Sequence, residues 1–152
     1  MPHDPSSSAL RLQTLTSHLT MASKDPITCH VLDTTTGRPA AGIIATLSCR
    51  SDPRSAYVAT TNSDGRITLW EKETASQPPI SQLIISEAEP EGNSVLAKGS
   101  SVWKLTFNTG AYYGAGKTFF PVVELSFLVK EGEHFHVPLL LGPYSYTTYR
   151  GS

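Results

Sequence analysis

Apolar and polar residues alternate in short runs from about residue 26 to the end of the chain. Turn segments such as TTTGRP, NSDG, EGE and GPY separate the runs. Alternation with a period of two is typical of strands that have one buried and one outer face. The pattern therefore predicts an all-β sandwich rather than alternating strands and helices. The predicted strands are ITCHVLD, GIIATLSCR, SAYVATT, RITLW, SVWKLTFN, FFPVVELSFLV, HFHVPLLL and SYTTYR.

Two segments interrupt this alternation. Residues 74–98 hold three prolines among acidic and small polar residues, which predicts a surface insertion with some local structure in its SQLII patch. Residues 109–117 favour one short helical turn, because the three glycines there oppose a longer helix. With 152 residues, of which 39% are hydrophobic, the chain is long enough for one domain with its own core.

The same alternation places several polar side chains on outer sheet faces. In ITCHVLD the residues Ile27, Cys29 and Val31 share one face, so His30 points to the other face. In HFHVPLLL the apolar set must face the interior, which leaves His134 and His136 outside. A lone strand histidine is commonly solvated and without chemistry, but these three accompany Arg66, which directly follows the NSDG turn. Since imidazole serves readily as a general base near neutral pH, the group is a candidate site.

A zinc site is a second interpretation of the three histidines. His134 and His136, joined by His30, would supply three imidazole ligands. The HxH spacing alone is weak evidence, and no carboxylate or thiolate ligand accompanies it. Cys29 and Cys49 also lack the spacing of a zinc finger or a disulfide framework. The sequence therefore favours a site without metal.

Charge and hydropathy exclude several classes of partner. The 12 Lys and Arg residues nearly balance the 13 Asp and Glu residues, and no basic run would bind nucleic acid or an anionic membrane. No apolar stretch approaches the roughly 18 residues that span a bilayer. We expect a soluble intracellular protein without polyanionic partners.

The first 25 residues differ in composition from the rest of the chain. They are rich in Ser, Thr and Pro, so we expect a mobile extension before a folded domain at 26–152. Within the extension, RLQTLTSHL at 11–19 resembles the type-2 peroxisomal targeting nonapeptide. In a helix, the stripe that an import receptor could bind would contain Arg11, Leu12, Leu15, His18 and Leu19.

The nonapeptide predicts a peroxisomal location. A chance match in a cytosolic protein is one alternative, and a mitochondrial transit peptide is another, because acidic residues are scarce in the extension. A start at Met21 would omit the nonapeptide.

Four segments resemble the signatures of the 5-hydroxyisourate hydrolase branch of the transthyretin-like family. They are ITCHVLDTTTGRPA, TNSDGR, FNTGAYY with FFPVVELSF, and HFHVPLLLGPYSYTTYRGS, and they cover most of residues 26–152. The final YRGS is the most specific, because hormone-carrying transthyretins lack it. The resemblance implies a transthyretin-like β-sandwich of seven or eight strands with at most one short helix. It also implies a homotetramer, a dimer of dimers, with active sites in a channel where the two dimers meet.

The resemblance further implies a reaction, the hydrolysis of 5-hydroxyisourate to 2-oxo-4-hydroxy-4-carboxy-5-ureidoimidazoline in urate breakdown, without a cofactor. Arg66 would hold a carbonyl or the negative charge of the intermediate. Thr148, Tyr149 and Ser152 are candidates for further hydrogen bonds to the substrate. The positions that match the family's catalytic residues are His30, Arg66, His136 and Ser152.

The chain departs from the family pattern in three places. Gly142 and Thr147 stand where serine is common, and the insertion follows Trp70. The first two departures alter the channel lining mildly. Because of the insertion, the family pattern does not define the strand boundaries from Trp70 to Val102.

Two other functions remain open at this point. A transthyretin-type carrier of a small aromatic ligand would use the same channel, but it predicts apolar or lysine-like residues at positions 30, 66 and 136. A structural sandwich that recruits another protein by its edge strands fits the strand pattern but gives the histidines no role.

Overall fold

The computed structural model describes residues 24–152, so the predicted targeting nonapeptide at 11–19 lies outside the described residues. Ten strands and two short helices make up this part of the chain. The strands are β1 (Ile27–Asp33), β2 (Arg38–Pro39), β3 (Ile44–Cys49), β4 (Asp52–Thr60), β5 (Arg66–Ile67), β6 (Glu71–Lys72), β7 (Ser100–Phe107), β8 (Val123–Lys130), β9 (Phe135–Leu141) and β10 (Tyr146–Thr148). The helices are α1 (Ile80–Ser86) and α2 (Thr109–Tyr113).

The strands form two five-stranded sheets. The first has the order β10-β9-β1-β2, and β5 also pairs with β1. Within it β1 and β9 run parallel, whereas the other pairs are antiparallel. The second has the order β6-β4-β3-β7-β8 and is antiparallel throughout. The predicted all-β class is confirmed.

One hydrophobic cluster joins the inner faces of both sheets. The apolar odd-numbered residues of β1 and β9 lie in it, and none of them is more than 7% exposed. Trp103, Tyr57 and Phe107 contribute the largest buried side chains from the second sheet. Full burial of one such apolar side chain is worth roughly 1.5–3 kcal/mol, so this shared core holds the two sheets together.

The segment at 74–98, expected as a surface insertion, contributes to this core. Its SQLII patch lies in α1, whose apolar residues recur at the spacing of one helix face. The Tyr57 hydroxyl donates a hydrogen bond to the carbonyl of Pro78 at 2.6 Å, which ties the start of the helix to β4. The buried residues of α1 are Ile80, Leu83 and Ile84.

The number of elements exceeds the prediction of seven or eight strands and at most one helix. The additional strands β2 and β6 have two residues each, and β5 covers only the start of the predicted RITLW strand. Such two-residue strands form because a neighbouring strand supplies hydrogen-bond partners. The local alternation of apolar and polar residues does not indicate where such a neighbour lies. Neither helix in the described part of the chain is long and apolar enough to cross a membrane.

The helix predicted at 109–117 is α2, which is shorter than expected. The side chain of Asn108 caps its start by accepting a hydrogen bond from the Ala111 N–H at 3.3 Å. It ends before Gly114, whose φ of 103° lies outside the helical region.

Candidate active site

Three neighbouring strands of the first sheet bring the predicted site residues to one surface. β1 lies between β5 and β9, and its register places His30 opposite Arg66 and Thr28 opposite His136. Directly paired residues project from the same side of a sheet. The outer face of β5, β1 and β9 therefore carries Arg66 and two of the three histidines that the sequence singled out, His30 and His136.

The final residues of the chain return to this surface. The Gly151 N–H donates a hydrogen bond to the His136 carbonyl at 2.9 Å. A Cβ at Gly151 would lie 2.7 Å from Cδ2 of His136 and 3.0 Å from Cγ of Pro138, so only glycine permits this approach. The tail thereby brings Ser152 to the surface that carries His136.

Arg150 holds the same tail against β9. Its guanidinium lies 4.9 Å from the centre of the Phe135 ring, a distance typical of a cation–π contact. It also lies 3.4 Å from the carboxylate of Glu133, but both side chains are largely exposed, so this ion pair adds little.

A cleft of about 260 Å³ opens on this surface. Arg66, His136 and Ser152 all line it. His30 lies next to the cleft, with its ring centre 6.5 Å from that of His136. The structure therefore groups the four residues predicted as catalytic, three in the cleft and one at its side.

The environment of His136 lowers the pKa of its imidazole below the usual 6.5. Partial burial is the main cause, and the electrostatic influence of Arg66, His30 and His134 adds to it. The ring is consequently neutral at neutral pH, which leaves one ring nitrogen able to accept a proton.

Thr28 is a site residue that the sequence interpretation missed. Its hydroxyl is 2.8 Å from Nδ1 of His136 and 3.2 Å from Nε2 of His134. The period of two already put Thr28 on the outer face with His30, which was the available signal. The partner histidines could not be identified, because the register between β1 and β9 is not visible in sequence.

Thr148 and Tyr149 lie away from the cleft. The Thr148 hydroxyl donates a hydrogen bond to the Pro138 carbonyl at 2.8 Å. Both residues line a neighbouring pocket of about 350 Å³, to which His136 also contributes. Their contact with a substrate stays a prediction.

The zinc interpretation requires that several ligand side chains, such as His30, His134 and His136, lie close enough to bind one metal ion. Within residues 24–152, no group of three or more His, Cys, Asp or Glu side chains is placed to hold a metal ion. Cys29 and Cys49 are buried thiols, and burial raises the pKa of Cys29 to about 12.

Comparison with known proteins identifies the family. The model of the HIUase/Transthyretin family matches residues 27–151. The chain belongs to this family. The 5-hydroxyisourate hydrolase of Mus musculus is 39% identical to it over 137 residues, covering 84% of this chain and 95% of that protein. The solved structure of the Klebsiella pneumoniae 5-hydroxyisourate hydrolase gives a TM-score of 0.56 at 27% identity, covering 83% of this chain and 92% of that one.

A transthyretin gives a similar structural match. Sea bream transthyretin, solved in complex with thyroxine, has a TM-score of 0.58 at 23% identity, covering 83% of this chain and 94% of that one. At this identity the likeness concerns the fold alone. Because a hydrolase and a transthyretin match the fold almost equally well, the fold alone does not distinguish their functions.

Proposed function

We propose that the protein hydrolyses 5-hydroxyisourate to 2-oxo-4-hydroxy-4-carboxy-5-ureidoimidazoline in urate breakdown. The observation that carries the proposal is the convergence of Arg66, His136 and Ser152 in one cleft, with His30 at its side. The Mus musculus and Klebsiella pneumoniae proteins, both named 5-hydroxyisourate hydrolase, support it.

The proposed reaction is the metal-independent hydrolysis of a cyclic amide. A water oxygen forms a bond to the ring carbonyl carbon while a histidine takes the water proton, and the carbonyl becomes an oxyanion. When the carbon–nitrogen bond breaks, that proton passes to the departing nitrogen. His30 and His136 are the proposed groups that take and return this proton. The lowered pKa of His136 keeps its ring unprotonated at neutral pH, so the ring is available as a base.

Arg66 is the proposed partner of the oxyanion. Its guanidinium is always charged and offers several donors, so it favours the negative charge of the tetrahedral intermediate. Ser152 lines the same cleft, and its hydroxyl is the proposed hydrogen-bond partner of the substrate. Thr148 and Tyr149 are proposed as further substrate contacts that would approach from the neighbouring pocket.

A homotetramer is the proposed assembly. His30 and His136 are only half-buried and Arg66 is exposed on the outer face of the sheet, so a second copy would cover the cleft and exclude water. Light scattering after size exclusion should give the mass of four chains. A monomer with full activity would contradict this part of the proposal.

Peroxisomal import is proposed from the sequence alone, through a receptor that binds Arg11, Leu12, His18 and Leu19. A fluorescent protein fused after the first 25 residues should accumulate in peroxisomes, and the combined His18→Ala and Leu19→Ala change should leave it in the cytosol. Fluorescence in mitochondria would favour the transit-peptide alternative.

The decay of freshly generated 5-hydroxyisourate, followed by ultraviolet absorbance, tests the central proposal. The purified protein should accelerate it, and His30→Ala should remove most of the acceleration. Lys104→Ala, which changes an exposed side chain on the second sheet, is the control and should act like the wild type. A folded tetramer that leaves the decay unchanged would refute the proposal and favour the small-ligand carrier.

A further inference from the structure

Thr28 links two histidines on the outer face of the first sheet. Its Oγ1 lies 2.8 Å from Nδ1 of His136 and 3.2 Å from Nε2 of His134. Thr28 is only 4% exposed, so bulk water competes little for its hydroxyl. Because Thr28 pairs directly with His136 in the parallel ladder, the backbone itself keeps the hydroxyl against that ring.

The hydrogen atoms in this contact can be counted. A threonine hydroxyl has one hydrogen to donate and lone pairs that accept, whereas a neutral imidazole has one N–H and one bare nitrogen. If Thr28 donates to His134, it accepts from Nδ1–H of His136, and Nε2 of His136 keeps a lone pair. If Thr28 donates to His136 instead, Nε2 carries the proton and can only donate it. The direction of the Thr28 hydroxyl therefore decides whether His136 can be a base.

We infer that Thr28 is a positioning residue that, oriented by His134, holds the proton of His136 on Nδ1 and leaves Nε2 as the base in the cleft. The inference rests on the proposed function, because only a reaction that needs a base requires this tautomer. Nδ1 is already engaged by Thr28, so Nε2 is the ring nitrogen of His136 that remains for chemistry. A fixed partner on one ring nitrogen is the usual way in which proteins select a histidine tautomer.

A hydroxyl performs this task differently from a carboxylate. A carboxylate on Nδ1 would orient the ring but would also raise its pKa by stabilising the imidazolium. The neutral hydroxyl of Thr28 orients the ring without adding charge. His30 lies beside the cleft, and none of the side chains that line it with His136 is acidic: Lys24, Thr28, Cys29, Arg66, Thr68, His134 and Ser152. His136 thus remains neutral at neutral pH, and its tautomer determines its role.

Nitrogen-15 spectra of the histidine rings in the full-length protein test this assignment without any turnover. In the wild type, the neutral His136 ring should show a protonated Nδ1 and an unprotonated Nε2. Thr28→Val keeps the shape of the side chain and removes the hydroxyl, so this signature should be lost, and Thr28→Ser should restore it. Thr106→Val makes the same change on the second sheet and should leave the His136 signals unchanged. An unaltered Nδ1–H signature in Thr28→Val would overturn the inference.

Hydrolysis rates on the same variants supply the second readout. Thr28→Val should lower kcat by on the order of 10- to 100-fold with little change in KM, because the base rather than substrate binding is affected. Thr28→Ser should recover most of this loss. If the wild type does not hydrolyse the substrate, the proposed function fails, whereas the nitrogen-15 result still decides the tautomer.

His134→Phe provides a variant that does not disturb a buried position, since His134 is exposed. It removes the group that accepts the Thr28 hydrogen, so Thr28 becomes free to donate to His136. We expect a mixture of the two His136 tautomers and a smaller loss of kcat than in Thr28→Val. A pure Nδ1–H signature in His134→Phe would show that His134 does not orient the hydroxyl.

Discussion

The two faces of β1 and β9 differ although they share the same backbone. Apart from Asp33 at the end of β1, their inner side chains are apolar and almost completely buried in the core that both sheets share. Their outer side chains include Thr28, His30 and His136, which lie at or beside a cleft, and Thr28 and His136 are within hydrogen-bond distance of each other. The difference shows that one strand can serve stability with one set of alternate residues and chemistry with the other. Substitutions on the two faces should therefore separate unfolding free energy from turnover.

The largest loss of stability is expected on the inner face. Leu139 is fully buried, so Leu139→Ala should lower the free energy of unfolding by about 2–5 kcal/mol because a cavity remains. Leu140→Ala, one residue further on the outer face, should cost about 1 kcal/mol or less. Urea denaturation of both variants measures the difference, and equal losses would contradict the distinction between the faces.

The largest loss of turnover is expected on the outer face. His136→Ala should lower kcat/KM by on the order of 10²-fold or more, since it removes a proposed base. Its unfolding free energy should change far less than that of Leu139→Ala, because His136 is only half-buried. Near-normal turnover by the folded variant would remove His136 from the mechanism.

Gly151→Ala tests how the tail contributes to the outer face. The added Cβ would meet His136 and Pro138, so the tail should shift and move Ser152 out of the cleft. We expect kcat/KM to fall on the order of 10-fold, with little change in stability.

A double-variant cycle identifies the cause of that loss. If Gly151→Ala acts by displacing Ser152, adding Ser152→Ala should cost almost nothing further, because the two changes remove one contribution. Fully additive losses would mean that Gly151 acts by another route.

The pH profile of turnover should reflect the lowered pKa of His136. The base must be unprotonated, and burial, Arg66, His30 and His134 all disfavour its protonation. The acid limb of kcat/KM should therefore lie below the ordinary histidine value of 6.5. Measurement in a series of buffers of constant ionic strength checks this, and an acid limb above 6.5 would contradict the assignment of the base to His136.

The smallest effect concerns stability at low pH. Since the folded pKa of His136 lies below its unfolded value of 6.5, the unfolded chain binds the proton first. The contribution of His136 to the free energy of unfolding is therefore fully present above pH 6.5. It is lost as the pH falls through the pKa of the folded state. Thermal unfolding over this range should show a smaller decline in His136→Gln than in the wild type, because glutamine does not titrate. Identical declines would show that other groups cause the acid effect.

Much of the site could be predicted because its residues lie on strands with regular alternation. His30, His136 and Arg66 were placed by the outer face of a strand or by the turn before it, and the structure groups them as predicted. Thr28 was missed because nothing in its own strand distinguishes it from other outward threonines. Its role depends on His136, which is 108 residues away in sequence.

The segment at 74–98 shows the same limit in the fold. Its prolines and polar residues indicated a surface insertion, but α1 turns an apolar face to the core. The spacing of Ile80, Leu83 and Ile84 indicates such a face only if the segment is taken as a helix. A seven-residue helix has little stability of its own, so packing on the core had to select it.

The sequence by itself determined the all-β class, the family and the inner and outer faces of the main strands. These properties follow from local periodicity and from short motifs, which depend on neighbouring residues only. Tertiary structure decided which strands are neighbours and in what register, and so joined Thr28, His134 and His136 into one hydrogen-bonded group. The physical reason is that pairing between distant strands is selected by burial of the whole core, and no local stretch of residues contains that information.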